Sequence, residues 1–289
     1  MDNWNKHTLI DTVSVSLGSL FFKKYFRDGI DSVGIEEHLE AVNIDVPQLM
    51  SEQEYPILSE TLAGELESAI NLVQWKGPEY PTVIYHHGAS EIPYNYGFKN
   101  IFPVDKQLFE VNLILIRAPF HNNRKSFMYG MATTERWLAM LAVSVRAIEQ
   151  VIIQLRKKTS SSIVVSGTSL GGFISNLHHS YFNSADRYAP LLAGTAMHEA
   201  YLNSVYSKSM AKSALQQPDK IKRQFDFRQA FSAQDNHNVF PLLSAYDAII
   251  RFDVQKASYG GLDVSVIEKG HTTGALAYHI LREHILELV

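Results

Sequence analysis

The sequence predicts an α/β protein: a mostly parallel central sheet with helices on both faces and a helical lid insertion. Three observations lead there. Short apolar runs without polar alternation recur along the chain, as strands covered on both faces require. Segments with a helical apolar period separate several of them, and this alternation favours parallel strands joined by right-handed crossovers. One strand-to-helix junction, at residues 161 to 179, is punctuated by closely spaced glycines.

Residues 1–61 read as a helical and irregular segment that packs on the core. Leu9, Val13, Leu17, Phe21 and Tyr25 form one stripe of an amphipathic helix; a membrane-surface role is the lesser reading of it. Asp2 and Asp11 interrupt the basic and apolar regions that a signal peptide needs. Residues 62–289 carry the sheet pattern. "LESAINLVQW", "TVIYHHGAS" and "VNLILIRAPF" read as strands. Trp137, Leu141, Val145, Ile148, Ile152 and Leu155 then mark one face of a long helix, closed by Arg156, Lys157 and Lys158 at the negative end of its dipole. "SSIVVSG" is a strand and "LGGFISNLHHSYF" a helix. "RYAPLLAGTA", "NVFPLLSAY" and "LDVSVIEKG" complete the strands, and "TTGALAYHILREHILELV" is the last helix. Residues 198–234 are helical and longer than one crossover requires. They predict a lid over the C-terminal edge of the sheet.

Composition narrows the function. The chain has 289 residues, 26 Lys and Arg against 30 Asp and Glu, and a formal net charge of −4. No basic stretch suits nucleic acid. With no cysteine in the chain, disulfides, thiol catalysis and Cys-ligated zinc are excluded; a cytoplasmic protein is expected. No run of 18 uncharged apolar residues predicts a membrane span. "HEAYL" lacks the second histidine of a zinc-protease motif, since position 202 is leucine. No metal and no cofactor are expected.

Gly167, Thr168, Ser169, Leu170 and Gly171 spell G-x-S-x-G between the "IVV" strand and a helix. The glycines have a steric reason: a strand reversing sharply into a helix brings the residues two before and two after the serine into close approach. A serine hydroxyl needs a base, and the base needs a partner that holds its tautomer. His271 follows the last strand and Asp247 the strand before it. Such loops project at the C-terminal edge of a parallel sheet, where Ser169 also emerges. With 12 histidines in the chain, a chance placement competes for His271; Asp235, Asp253 and Glu199 compete with Asp247.

Over residues 62–289 the chain resembles the α/β-hydrolases, through the elbow "GTSLGG", the "HHGA" after an early strand and the order Ser…Asp…His. The resemblance implies Ser169 as nucleophile, His271 as general base and acid, and Asp247 as orienting carboxylate. It implies an oxyanion hole from the backbone N–H groups of Leu170 and Ala89, with His87 and Gly88 beside the substrate. The HGGG of one lipase branch is absent. The implied function is cleavage of an ester or related acyl bond in a small-molecule substrate. Acyl transfer on the same triad and a non-catalytic ligand-binding module are the alternatives.

Overall fold

A computed structural model describes residues 5–21 and 23–289. In chain order, helices α1 (Lys6–Phe21) and α2 (Ile35–Ala41) precede strands β1 (Asn43–Ile44), β2 (Glu54–Thr61), β3 (Gly64–Gln74) and β4 (Thr82–His86). Then come α3 (Tyr96–Ile101), β5 (Asn112–Arg117), α4 (Arg124–Gly130), α5 (Thr134–Arg156), β6 (Ile163–Thr168), α6 (Leu170–Tyr181) and β7 (Arg187–Leu191). After β7 the chain forms α7 (Met197–Leu202), a 3₁₀ turn (Val205–Ser209), α8 (Lys212–Leu215), α9 (Pro218–Phe225) and α10 (Arg228–Ser232). It closes with β8 (Leu242–Ser244), α11 (Phe252–Ser258), β9 (Ser265–Ile267), α12 (His271–Ala275) and α13 (Tyr278–Leu286).

Among the described residues nine strands form one sheet in the order β1-β2-β3-β5-β4-β6-β7-β8-β9. The run from β5 to β9 is parallel; β1, β2 and β3 add antiparallel neighbours. β4 lies between β5 and β6, so the chain leaves the C-terminal ends of β4 and β6 side by side. A crevice forms where strand order reverses in this way.

Every residue of β4, β5 and β6 is buried. Ile84, Ile114, Ile116 and Val165 pack into the larger core beside α2, α5 and α6. Val83, Tyr85, Leu113, Leu115 and Val164 pack into the second, beside α3 and α13. Burial on both faces explains the unbroken apolar runs. α5 is long and apolar enough by composition to cross a membrane, yet most of it is buried against the sheet.

Four features differ from the sequence reading. First, the sheet begins before residue 62: β2 pairs with β3 along its whole length, from Glu54 with Asn71 to Thr61 with Gly64. Tyr55, Ile57 and Ser59 point inward while Glu54, Pro56, Leu58 and Glu60 point out. β1 reaches only Ser59 and Glu60, so Pro56 sits where one side of β2 is open and its missing N–H is tolerated. Second, the last helix is two: α12 and α13 are separated at Leu276 and Ala277. At Gly274 a Cβ would lie 2.4 Å from Ser244 Oγ, so α12 packs closer to β8 than a larger residue permits.

Third, the α1 stripe does not pack inward. Leu9, Val13 and Leu17 are exposed, while Asp11 and Val15 are buried; Tyr25 is buried but lies beyond the helix. The side chain of Phe21 lies outside the described residues. Fourth, the insertion at 198–234 is helical and leaves the C-terminal end of β7, but only its first part borders the crevice. Gln224 of α9 instead donates to the carbonyls of Ile30 and Ser32, at 2.9 and 3.0 Å.

Ile84 is fully buried in the larger core. We expect Ile84→Ala to cost about 2–5 kcal/mol of folding stability, read from urea unfolding midpoints. A loss well below about 1 kcal/mol would contradict this account of the core.

Candidate active site

The junction of β6 and α6 is strained at one residue. Ser169 has φ +59° and ψ −111°, a region that costs a non-glycine residue about 1–3 kcal/mol. Its neighbours fix it there. The Ser169 N–H donates to the carbonyl of Leu191 at 2.8 Å. A Cβ on Gly171 would lie 2.0 Å from the His86 carbonyl oxygen, and one on Gly167 would lie 2.6 Å from it. The expected steric reason for the two glycines is therefore met, with β4 as the element approached.

His271 is the first residue of α12 rather than a loop residue. Its Nε2 is 2.9 Å from Ser169 Oγ, and its Nδ1 is 2.7 Å from Asp247 Oδ2. The carboxylate sets the tautomer: Nδ1 carries the hydrogen and donates to Asp247, leaving Nε2 to accept from the serine hydroxyl. Asp247 Oδ1 accepts the backbone N–H groups of Ile249 and Ile250, at 2.9 and 2.6 Å. Both oxygens of this buried carboxylate are thus satisfied, as burial of a charge demands. The competing carboxylates lie elsewhere. Glu199 is held by Asn203 and His198, Asp253 by Arg251 and Asp235 by His237.

Ser169 and His271 border a cavity of about 450 Å³ whose wall also includes Gly88, Ala89 and Leu170. Leu170 begins α6, so its N–H is among those without an intrahelical acceptor. Tyr25, Phe127, Trp137, Tyr201 and Tyr206 give the cavity an aromatic wall. Two hydrogen bonds lock it: Trp137 Nε1 donates to Tyr201 Oη at 2.8 Å, and Tyr206 Oη to Tyr25 Oη at 2.7 Å.

His87, expected beside a substrate, does not line the cavity. It is fully buried. Its Nε2 accepts the Ala118 N–H at 3.1 Å, and its Nδ1 faces the Gly88 carbonyl at 2.8 Å. Its ring packs against His86 and His121. Burial drives its pKa well down, reinforced by the neighbouring His121 and His86. It is a neutral brace under the loop after β4.

Three residues at the site were missed by the sequence reading. Glu91 accepts the N–H of Gly88 through Oε1 and that of Gly97 through Oε2, both at 2.8 Å. His121 Nε2 lies 2.8 Å from the Ala89 carbonyl. Together they hold the loop that carries the Ala89 amide. The third is Asp11 of α1, a fully buried carboxylate. Its Oδ2 accepts the backbone N–H of His271 at 2.8 Å and that of Ala248 at 3.2 Å; its Oδ1 accepts that of Thr272 at 2.8 Å. One side chain so ties the N-terminal helix to the loop after Asp247 and to the start of α12. No local pattern links residues 260 apart in sequence. The only signal is that Asp11 is the sole acidic residue between positions 5 and 25.

Two carboxylates therefore hold His271, Asp247 at the ring and Asp11 at the backbone. Burial pushes the His271 pKa down, but the charge and hydrogen bond of Asp247 and the charge of Asp11 push it up, and the net shift is upward. Among the described residues no cluster of three or more His, Asp or Glu side chains is arranged to hold a metal ion.

Neither a protein-family model nor a curated protein matches this sequence. Solved structures do. The chain is similar to acetyl xylan esterase 1 from Thermoanaerobacterium sp. JW/SL YS485, with 10% identity and a TM-score of 0.54 over 95% of this chain and 93% of that one. It is similar to an acetyl xylan esterase from Paenibacillus sp. R4, with 12% identity and a TM-score of 0.54 over 99% and 96%. It is also similar to the Pyrococcus horikoshii acylaminoacyl peptidase, with 13% identity and a TM-score of 0.57 over 83% of this chain and 41% of that one. These neighbours are α/β-hydrolase superfamily members, and the chain has the α/β-hydrolase fold.

These two carboxylates generate a titration test. We expect the His271 imidazole, followed by NMR, to titrate above the ordinary histidine midpoint of about 6.5. In Asp11→Asn the midpoint should fall, because one of the charges favouring the imidazolium is gone. A wild-type midpoint at or below the ordinary value, or one unmoved in the variant, would contradict the assignment.

Proposed function

We propose that the protein is a serine hydrolase that cleaves carboxylic esters through an acyl-enzyme. The observation that carries this reading is the continuous hydrogen-bonded line from Ser169 Oγ through His271 to Asp247, at 2.9 and 2.7 Å, bordering an apolar cavity. In the first step Oγ attacks the ester carbonyl carbon as its proton passes to His271 Nε2. The developing oxyanion is held by the N–H groups of Leu170 and Ala89. Collapse expels the alcohol, which takes the proton from Nε2. Water then attacks the acyl carbon as it loses a proton to Nε2; the second tetrahedral intermediate collapses, the bond from the acyl carbon to Ser169 Oγ breaks, Nε2 returns the proton to Oγ, and the acid departs.

The elbow supports the first role. Its strained φ holds the hydroxyl away from the strand and helix that flank it, toward the cavity. The aromatic wall supports an apolar acyl group: a volume of about 450 Å³ falls in the ordinary range for small-molecule sites. Esters suit the site better than amides because an alkoxide leaves more readily than an amine and demands less of the acid.

p-Nitrophenyl esters of graded chain length test this reading. The wild type should hydrolyse them, with chains longer than acetyl preferred. Ser169→Ala should lose about 10⁴–10⁶-fold in kcat while remaining folded; near-normal turnover in that variant would overturn the proposal. Asp247→Asn should lower kcat by about 10³–10⁴-fold, far more than Glu199→Gln, and the reverse ranking would remove Asp247 from its role. Asp11→Ala should lower kcat by about 10–100-fold through misplacement of His271. Unchanged turnover there would make the Asp11 contacts purely structural.

A further inference from the structure

α1 sits on its protein the wrong way round for a packed helix. A surface helix ordinarily turns its apolar stripe to the core. The inward face of α1 is instead mainly polar, with Val15 a buried apolar side chain on it. Asp11 accepts three backbone N–H groups, His7 Nδ1 meets Thr273 Oγ1 at 2.8 Å, and Thr8 Oγ1 donates to the Tyr246 carbonyl at 3.4 Å. The outward face carries Leu9, Ile10, Val13, Leu17 and Leu20, between 39% and 78% exposed. At a helical period these five fall within an arc of about 100°. Exposed apolar residues scattered singly need no explanation, but a contiguous stripe does.

The stripe also adjoins the active-site cavity. Ser14, Val15, Gly18 and Ser19 of α1 form part of the cavity wall. Leu276, which follows α12 and is 54% exposed, lines the same cavity. One helix therefore walls the site on one side and presents leucines to the exterior on the other.

We propose that this face of α1 docks on an anionic lipid surface, bringing the mouth of the cavity to the membrane plane. Charge selects the occupant. Lys6 opens the helix, Lys23 and Lys24 follow its end, and Lys208 stands on the 3₁₀ turn beside it, where Lys24 Nζ donates to the Lys208 carbonyl at 2.6 Å. The sole acidic residue of the stretch from 5 to 25, Asp11, is buried. Leucines bracketed by lysines, with no exposed carboxylate among them, suit an in-plane helix whose lysines reach anionic headgroups. Area argues against a second copy of the chain. Sixteen residues make a helix about 24 Å long; a stripe about 10 Å wide on it offers roughly 250 Å², against about 800 Å² per partner in a stable complex.

The test is flotation of the 289-residue chain with phosphatidylglycerol–phosphatidylcholine vesicles, using the Ser169→Ala form so that binding is read independently of hydrolysis. We expect flotation that weakens as salt is raised. Replacing Leu9, Val13 and Leu17 together by serine should reduce vesicle binding by at least about tenfold. The same triple substitution in the otherwise wild-type chain should leave turnover of a soluble ester unchanged, which also shows that the variant folds. Flotation that the substitutions do not reduce, equal binding to phosphatidylcholine alone, or no flotation would each overturn the proposal. So would a dimer, seen by sedimentation velocity without vesicle binding, that the same substitutions dissolve.

Discussion

At the turn between β6 and α6 the backbone passes so near the end of β4 that only hydrogen fits at positions 167 and 171. The His86 carbonyl oxygen occupies the space a Cβ would take at either place. That contact joins three things. It packs α6 onto the sheet, it holds Ser169 at a positive φ, and it brings the loop after β4 beside the start of α6. Ala89 and Leu170 border the same cavity as a consequence. A looser turn would relax the serine into an ordinary helix start and separate the two strand ends that frame the crevice. The local strain is carried by a sheet whose central strands are buried on both faces, a surround rigid enough to sustain it.

The imidazole beside that serine is organised from two directions. Asp247 holds its ring through Nδ1, and Asp11 holds its backbone. The second contact gives the N-terminal helix a part in the site. α1 contributes a wall to the cavity and a carboxylate to the start of α12, so displacing it would both open the cavity and free His271. A helix fixed through polar contacts on one side is at liberty to be apolar on the other.

The sequence made the sheet legible where burial left a one-dimensional trace. β4, β5 and β6 show as apolar runs because both of their faces are covered, and α5 shows through its period. The Ser169 elbow was readable because its constraint is local: five consecutive residues and their flanking elements. Asp247 was readable from its place after a strand, though only the coordinates separate it from Glu199, Asp235 and Asp253. What stayed hidden depends on contacts distant in sequence or on edges. β2 carries proline and outward glutamates, which mask a strand left open along most of one side. His87 looked like a site residue because "HHG" does not tell which ring faces the cavity and which braces the loop. Asp11 belongs to the site through a contact spanning 260 positions. The stripe on α1 was visible as a period, but a period gives no sign of which face turns inward.

The central claim is that Ser169, made nucleophilic by His271, forms a covalent intermediate. The most direct measurement is mass spectrometry of the intact protein after treatment with a fluorophosphonate, followed by peptide mapping. The account predicts one adduct per chain, located on Ser169 and formed more slowly as pH falls and His271 becomes protonated. An unlabelled folded protein, or an adduct on another residue that persists in Ser169→Ala, would contradict it.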